Sequence, residues 1–201
     1  HQREQAGYCA MRALRLGHAL PSLTPVVGRA YASLCLVESA AEQSSSWTVA
    51  TYKRKALQTC EVLGELGQLS YTLLAAGVLD AGQGRWANAR DNLSRAAAIA
   101  EQLKDKRQWE EATSHQAHLE YYHGNFALSK TLYEQAQVSA QERGDKQIHN
   151  RCNAGIAAVL LATNDVQGAI GILSSTNSFG QLALGLLRDG KREQALEKAM
   201  C

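Results

Sequence analysis

Proline is almost missing from this chain. Of 201 residues only Pro21 and Pro25 are proline, both near the start. Everything after them lacks the residue that most sharply interrupts a helix, which favours long helices over a strand-and-turn pattern. Long apolar runs are missing too: no stretch approaches ~18 apolar residues, so no membrane span is expected, and no signal-peptide pattern opens the sequence. Charge is balanced, with 21 basic and 19 acidic residues and a formal net charge of +2. That excludes the basic stripe on which nucleic-acid binding depends. The densest basic run, Lys53 to Lys55, reads as a solvated helix face. Catalytic strings are absent as well: there is no phosphate-cradling GxxxxGK-S/T loop, no GxGxxG, no HExxH and no GxSxG. Gly82 to Gly84 reads as a helix–helix turn. Neither an enzyme activity nor a cofactor is expected, and neither nucleic acid nor membrane is an expected partner.

Paired cysteines are the next absence. Cys9, Cys35, Cys60, Cys152 and Cys201 are scattered and odd in number, with no CxxC or CxH spacing. They are expected to act as small apolar residues in a reducing, cytoplasmic compartment. The best metal candidate is Glu111, His115 and His118, whose offsets put them on one helical face. An exposed polar face explains them as well, and no metal is expected.

What the chain does contain is a repeat. The segments starting at Gly84, Gly124 and Asn164 align at a spacing of 40. Each continues with an apolar residue (Trp86, Phe126, Val166) and a small one (Ala89, Ser129, Ala169). Leu93, Tyr133 and Leu173 follow, then Ala96, Ala136 and Thr176. This spacing keeps the three later positions on one helical face. Gly77, Ala117 and Ala157, equally spaced upstream, are small residues that let antiparallel helices approach closely. Gly64, Lys104 and Gly144 mark helix ends, with glycine suited to the left-handed position in two of the three. Gly190 opens a shorter last unit. Ser44 to Ser46 sits where a turn and a helix cap belong. Helices are predicted near 3–17, 25–43, 47–63, 67–82, 85–103, 106–123, 125–143, 146–163, 165–174, 178–189 and 191–200. The longer ones span ~27 Å at 1.5 Å rise per residue, and short connections make neighbours antiparallel. The predicted fold is all-α: an α-α superhelix, or solenoid, of antiparallel helix pairs. Its repeats are about 40 residues long, and it has ten to eleven helices in a single domain over 1–201.

These residues resemble the tetratricopeptide repeat. Gly77, Gly84, Trp86, Ala89, Leu93 and Ala96 match its positions in order, as do Ala117, Gly124, Phe126, Ser129, Tyr133 and Ala136. The usual repeat is about 34 residues, and a proline closes its second helix. Here that helix carries about six more residues and no proline. A narrower resemblance rests on Arg107 to Ala112, Tyr121 to Ala127, Arg143 to Gln147, Gly155 to Ala157 and Leu182 to Leu186. They are similar to the helical-repeat tail of multidomain proteins that join a class III adenylate or guanylate cyclase to an AAA/STAND-type ATPase. Because Ala195, Leu196 and Ala199 leave an apolar stripe running to Cys201, the chain is expected to be part of a longer one.

The resemblance implies a concave groove lined by the first helix of each pair. Carrying the register over selects Tyr31, Leu34 and Glu38, then Tyr71, Leu74 and Val78. Glu111, Ser114, His115, His118 and Tyr121 follow, and then Arg151, Ala154 and Ala158. Tyrosines and apolar residues beside charges suit an extended peptide or a partner helix. No pattern of Lys and Arg suited to clamping two carboxylates is present. The expected function is therefore a protein–protein interaction or scaffold module. The resemblance makes it the sensor or docking tail of a signalling ATPase or nucleotide cyclase, in possible contact with an upstream ATPase module of the same chain. Two alternatives compete with it: an oligomerisation scaffold, and a regulatory module that binds a small ligand as in STAND-type transcription regulators.

Overall fold

A computed structural model describes residues 2–20, 22, 24–39, 46–174 and 179–199. Among these residues there are eleven helices and no strand. They are α1 (Gln2–His18), α2 (Pro25–Ser39), α3 (Ser46–Leu63), α4 (Leu66–Gly82), α5 (Trp86–Gln102) and α6 (Lys106–Tyr122), followed by α7 (Phe126–Arg143), α8 (Lys146–Ala162), α9 (Val166–Leu173), α10 (Phe179–Arg188) and α11 (Arg192–Ala199). The expected all-α class is the observed one, and helix ends fall within one residue of expectation wherever the described residues allow comparison. Pro21, residues 40–43, Ser44, Ser45, Thr176 and Cys201 lie outside the described residues, as does the side chain of Leu196.

Helices α4 to α8 have nearly equal lengths, 17 or 18 residues, because the chain reverses at equal intervals there. Gly64, Gly84, Lys104, Gly124, Gly144 and Asn164 all have positive φ, from 57° to 77°, and their numbers rise in steps of 20. Each half of the 40-residue repeat is thus one helix and one left-handed turn. The turn satisfies carbonyls that the helix end would otherwise orphan. The amides of Arg85, Asp105, Asn125, Asp145 and Asp165 each donate to the carbonyl five residues back, at 2.8–2.9 Å. The next helix is then started by an acid where one is present. Asp145 accepts from the amides of Gln147 and Ile148, and Asp165 from that of Gly168, which is N-capping.

Two compact units divide between Gln108 and Trp109. In the first, α1 packs on α2, α2 on α3 and α4, α3 on α4, and α4 on α5. Val27, Tyr31, Ala32 and Ala56 form one cluster of its core, with Leu14, Tyr52 and Tyr71 against it. Gly77 permits the close approach of α4 and α5, since a Cβ there would lie 2.6 Å from the Leu93 side chain. Asp80 is fully buried at the end of α4, where the helix dipole disfavours an acid. It accepts from Lys53 Nζ at 2.7 Å, Arg85 Nε at 2.7 Å and Asn92 Nδ2 at 2.9 Å, so its charge is paired. Trp86, the first residue of α5, is 38% exposed.

In the second unit α8 packs on α7 and α9, and α10 on α8, α9 and α11. One cluster runs through Ala117, Tyr133, Ala136, Ile148, Cys152, Ala157, Leu173 and Leu186. Burying each of its larger side chains contributes ~1.5–3 kcal/mol. Ser129 Oγ donates to the Ala117 carbonyl at 2.7 Å, tying α7 to α6 at the small-residue position. Glu110 is fully buried and accepts from Ser139 Oγ at 2.8 Å and from Arg143 Nη2 at 2.5 Å. As the cysteine spacing suggested, Cys35, Cys60 and Cys152 are free and buried. Burial pushes the Cys35 thiol up to about 11 and that of Cys152 up to about 12, so both stay protonated at neutral pH.

Two substitutions test the left-handed turns. Lys104 adopts a conformation that costs an L-residue about 1–2 kcal/mol, so Lys104→Gly is expected to raise stability by up to about 1 kcal/mol after the loss of glycine's greater unfolded-state entropy. Gly144→Ala, whose added Cβ meets nothing within 4 Å, is expected to lose about 1 kcal/mol through the backbone alone. Urea unfolding curves measure both; a loss for Lys104→Gly contradicts the account.

Candidate functional site

Helices α6 and α8, in the second unit, present matching faces. Ser114, His115, His118, Tyr121 and Tyr122 share one face of α6 by three- and four-residue spacing. Arg151, Ala154, Gly155 and Ala158 share one face of α8. Together with Tyr133 of α7 these residues line a cavity of about 420 Å³, within the range of small-ligand sites (~300–1,000 Å³). Seven of the positions selected from sequence meet here: Ser114, His115, His118, Tyr121, Arg151, Ala154 and Ala158. Glu111 is half-buried on α6 and is not among the lining residues. Ser114 Oγ donates to the backbone carbonyl of Glu111 at 2.9 Å. Among the described residues no group of three His, Cys, Asp or Glu could hold a metal ion, so Glu111, His115 and His118 share a helix face without forming a site.

Tyr133 and Gly155 explain why the cavity is here. In the register of the repeat, Tyr133 stands where the neighbouring units have Leu93 and Leu173, and Gly155 where they have Ala75 and His115. The longer tyrosine reaches onto α8, where only a glycine leaves room: a Cβ at position 155 would lie 2.3–2.5 Å from three atoms of the Tyr133 ring. Tyr133 is 4% exposed and forms part of the wall. Tyr122, Tyr133 and Gly155 are the lining residues that the family register alone did not select. The signal for Tyr133 and Gly155 was the pair of exchanges, tyrosine for leucine at 133 and glycine for Ala75 and His115 at 155; Tyr122 carried none.

The walls are aromatic and the charge is of one sign. Tyr121 packs against Tyr122 and Phe126, with ring centroids 5.6 and 5.7 Å apart, and His118 packs against Tyr122 at 4.7 Å. Burial, with smaller contributions from Arg151 and His118, lowers the His115 pKa from 6.5 to about 4. Burial lowers that of His118 too. Both imidazoles are therefore neutral at pH 7. Burial first, then Cys152 and the neighbouring tyrosines, raises the Tyr133 phenol above its usual range, so it keeps its proton. Arg151 is left as the one charged lining residue. Among the described residues it forms no ion pair and no side-chain hydrogen bond.

In the first unit the selected positions separate. Leu34 and Glu38 line a hollow of about 480 Å³ with Glu4, Gly7, Tyr8, Met11, Val37 and Tyr52. Tyr31 instead belongs to the core. It is 7% exposed, its hydroxyl lies 3.1 Å from His18 Nε2, and Lys55 Nζ sits 5.3 Å from its ring centroid. Leu74 is buried at 6% exposure. Tyr71 is half-buried beneath the Arg29 guanidinium, 5.8 Å from its ring centroid, and Val78 is half-buried. Because α2 and α4 pack on each other as well as on α3, their shared faces fill with side chains rather than staying open.

Gly155→Ala is expected to cost about 1–3 kcal/mol by driving a methyl into a buried ring. Adding Tyr133→Leu, the residue type of the neighbouring repeats, should recover much of that loss. A double-mutant cycle in urea measures the coupling, and strict additivity contradicts the packing described. His115 supplies a pH test. Its folded-state pKa lies below the unfolded value, so protons bind the unfolded chain preferentially as pH falls from about 6.5 to about 4, and stability drops over that window. Relative to His115→Gln, the native protein should lose about 1–2 kcal/mol between pH 7 and pH 5.

Compared with known families, the chain matches no family model, and it matches no curated protein.

Proposed function

We propose that this chain is a protein–protein interaction module that holds a short extended segment of a partner in the α6–α8 cavity. The observation that carries this reading is the cavity itself: about 420 Å³, walled by three tyrosines and two histidines, on the faces of two helices that a repeat register puts in equivalent positions. A cavity of that size suits a side chain with its flanking backbone. Tyrosine is the residue type that interfaces enrich, because it gives large contact area with few rotamers to freeze. The likeness to the tetratricopeptide repeat supports the same reading. Assignment to the docking tail of a signalling ATPase or nucleotide cyclase rests on the sequence resemblance alone. No helix among the described residues is long and apolar enough to cross a membrane.

Selection of displayed random peptides against the full chain tests the proposal. The selected peptides are expected to bind at micromolar Kd and to weaken at least tenfold against Tyr121→Ala, an anchor loss of about 1.4 kcal/mol or more. A selection whose binders are all indifferent to Tyr121→Ala and to Gly155→Ala removes the cavity from the function.

A further inference from the structure

The cavity also has a charge preference. Resting on the peptide-binding reading above, we infer that its occupant presents a single carboxylate: the α6–α8 cavity is a subsite for an acidic side chain of the partner segment, with Arg151 as its charged anchor. Three observations lead there. Arg151 lines the cavity and has no ion pair or side-chain hydrogen bond among the described residues. Arg151 is half-buried, and burial that weakens the hydration of a guanidinium is unfavourable where, as here among the described residues, no acid is paired with it. No Asp or Glu is among the lining residues. Among the remaining polar lining groups, the hydroxyls of Tyr121, Tyr122 and Tyr133 and the imidazoles of His115 and His118 are of a type that donates a hydrogen bond while neutral.

The charge count sets the class of anion. One guanidinium matches one carboxylate, and its planar fork suits the two carboxylate oxygens. A phosphate monoester would bring close to two negative charges to a site holding one positive charge. A lysine or an amide in the same place would leave Arg151 unpaired. The aromatic walls then take the apolar neighbours of the acid, so the fitting segment places Glu or Asp beside aromatic or aliphatic residues.

Blocked pentapeptides with the core Phe-Glu-Phe, Phe-Gln-Phe, Phe-Lys-Phe or Phe-phosphoserine-Phe, together with sodium acetate, serve as probes. Each is titrated into the ¹⁵N-labelled full chain, and the α6 and α8 amide shifts are followed. The glutamate peptide is expected to bind at least tenfold tighter than the glutamine, lysine and phosphoserine peptides. Arg151→Gln should erase that preference, the glutamate peptide weakening to the level of the glutamine peptide. Arg151→Lys, which keeps the charge, should retain part of the preference and guards against reading a folding defect as lost recognition. Equal binding of the glutamate and glutamine peptides at this cavity overturns the carboxylate inference and leaves the peptide reading standing. Tighter binding of the phosphoserine peptide overturns it too. Saturable shifts with acetate but with none of the peptides overturn the peptide source and, with it, the reading on which this inference rests. Absence of shifts with every probe overturns both.

Discussion

A left-handed residue every 20 positions is the constraint on which the rest of this structure depends. A helix that must stop after about 17 residues needs somewhere to put its last carbonyls, and the reversal at positions 84, 104, 124, 144 and 164 supplies it through the amide that follows. Where the connection is only two or three residues, as at Gly64, Gly84 and Gly144, the helices on either side fold back on each other within their unit. Equal helix length follows from equal turn spacing. So does the alignment of small residues such as Gly77 and Ala117 opposite the large ones of the next helix. Glycine fills four of the six positions because it adopts positive φ without steric cost. Lys104 and Asn164 show that the turn is imposed by the surrounding pair of helices even where the residue resists it.

A regular array is a poor place to find a binding site, because every unit fills its own space in the same way. The cavity of the second unit arises where that regularity is broken twice in complementary directions. Tyr133 is too large for the gap that leucine fills elsewhere, and Gly155 is too small to cover the face that Ala75 or His115 occupies. The displaced tyrosine rests on the glycine and becomes a wall. Burial then acts on the surrounding chemistry: it keeps His115 and His118 neutral and the Tyr133 phenol protonated, leaving Arg151 as the positive charge of an otherwise neutral, donor-rich surface. The cavity is a by-product of packing, made from one oversized residue and one missing side chain.

The same physics disposes of other charged residues differently. Asp80 and Glu110 are buried more completely than Arg151, yet each is surrounded by cationic and polar donors from its own unit. They hold helices together and have no capacity left for a ligand. Tyr31 and Tyr71 are likewise capped by Lys55 and Arg29. An aromatic or a charge is available for binding only where the fold has left its partner out, and that is a property of the neighbours rather than of the residue.

The sequence alone determined the class of the fold and, among the described residues, most helix ends to within a residue. These depend on local signals: turn glycines, the absence of proline and the periodic spacing of small and large residues. It also indicated the α6 and α8 faces, because residues at three- and four-residue spacing must share a side of a helix whatever surrounds them. The tertiary structure decided which of those faces stay open. Tyr31 and Leu74 sit in the same register as Arg151 and Ala154, yet they are covered because α2 and α4 pack on each other and on α3. Nothing in a one-dimensional pattern states how far a side chain reaches into the next helix pair, so Tyr133 reads as one more core position until its ring is placed against Gly155. Burial, and hence the protonation state of His115 and the isolation of Arg151, depends on that same three-dimensional neighbourhood.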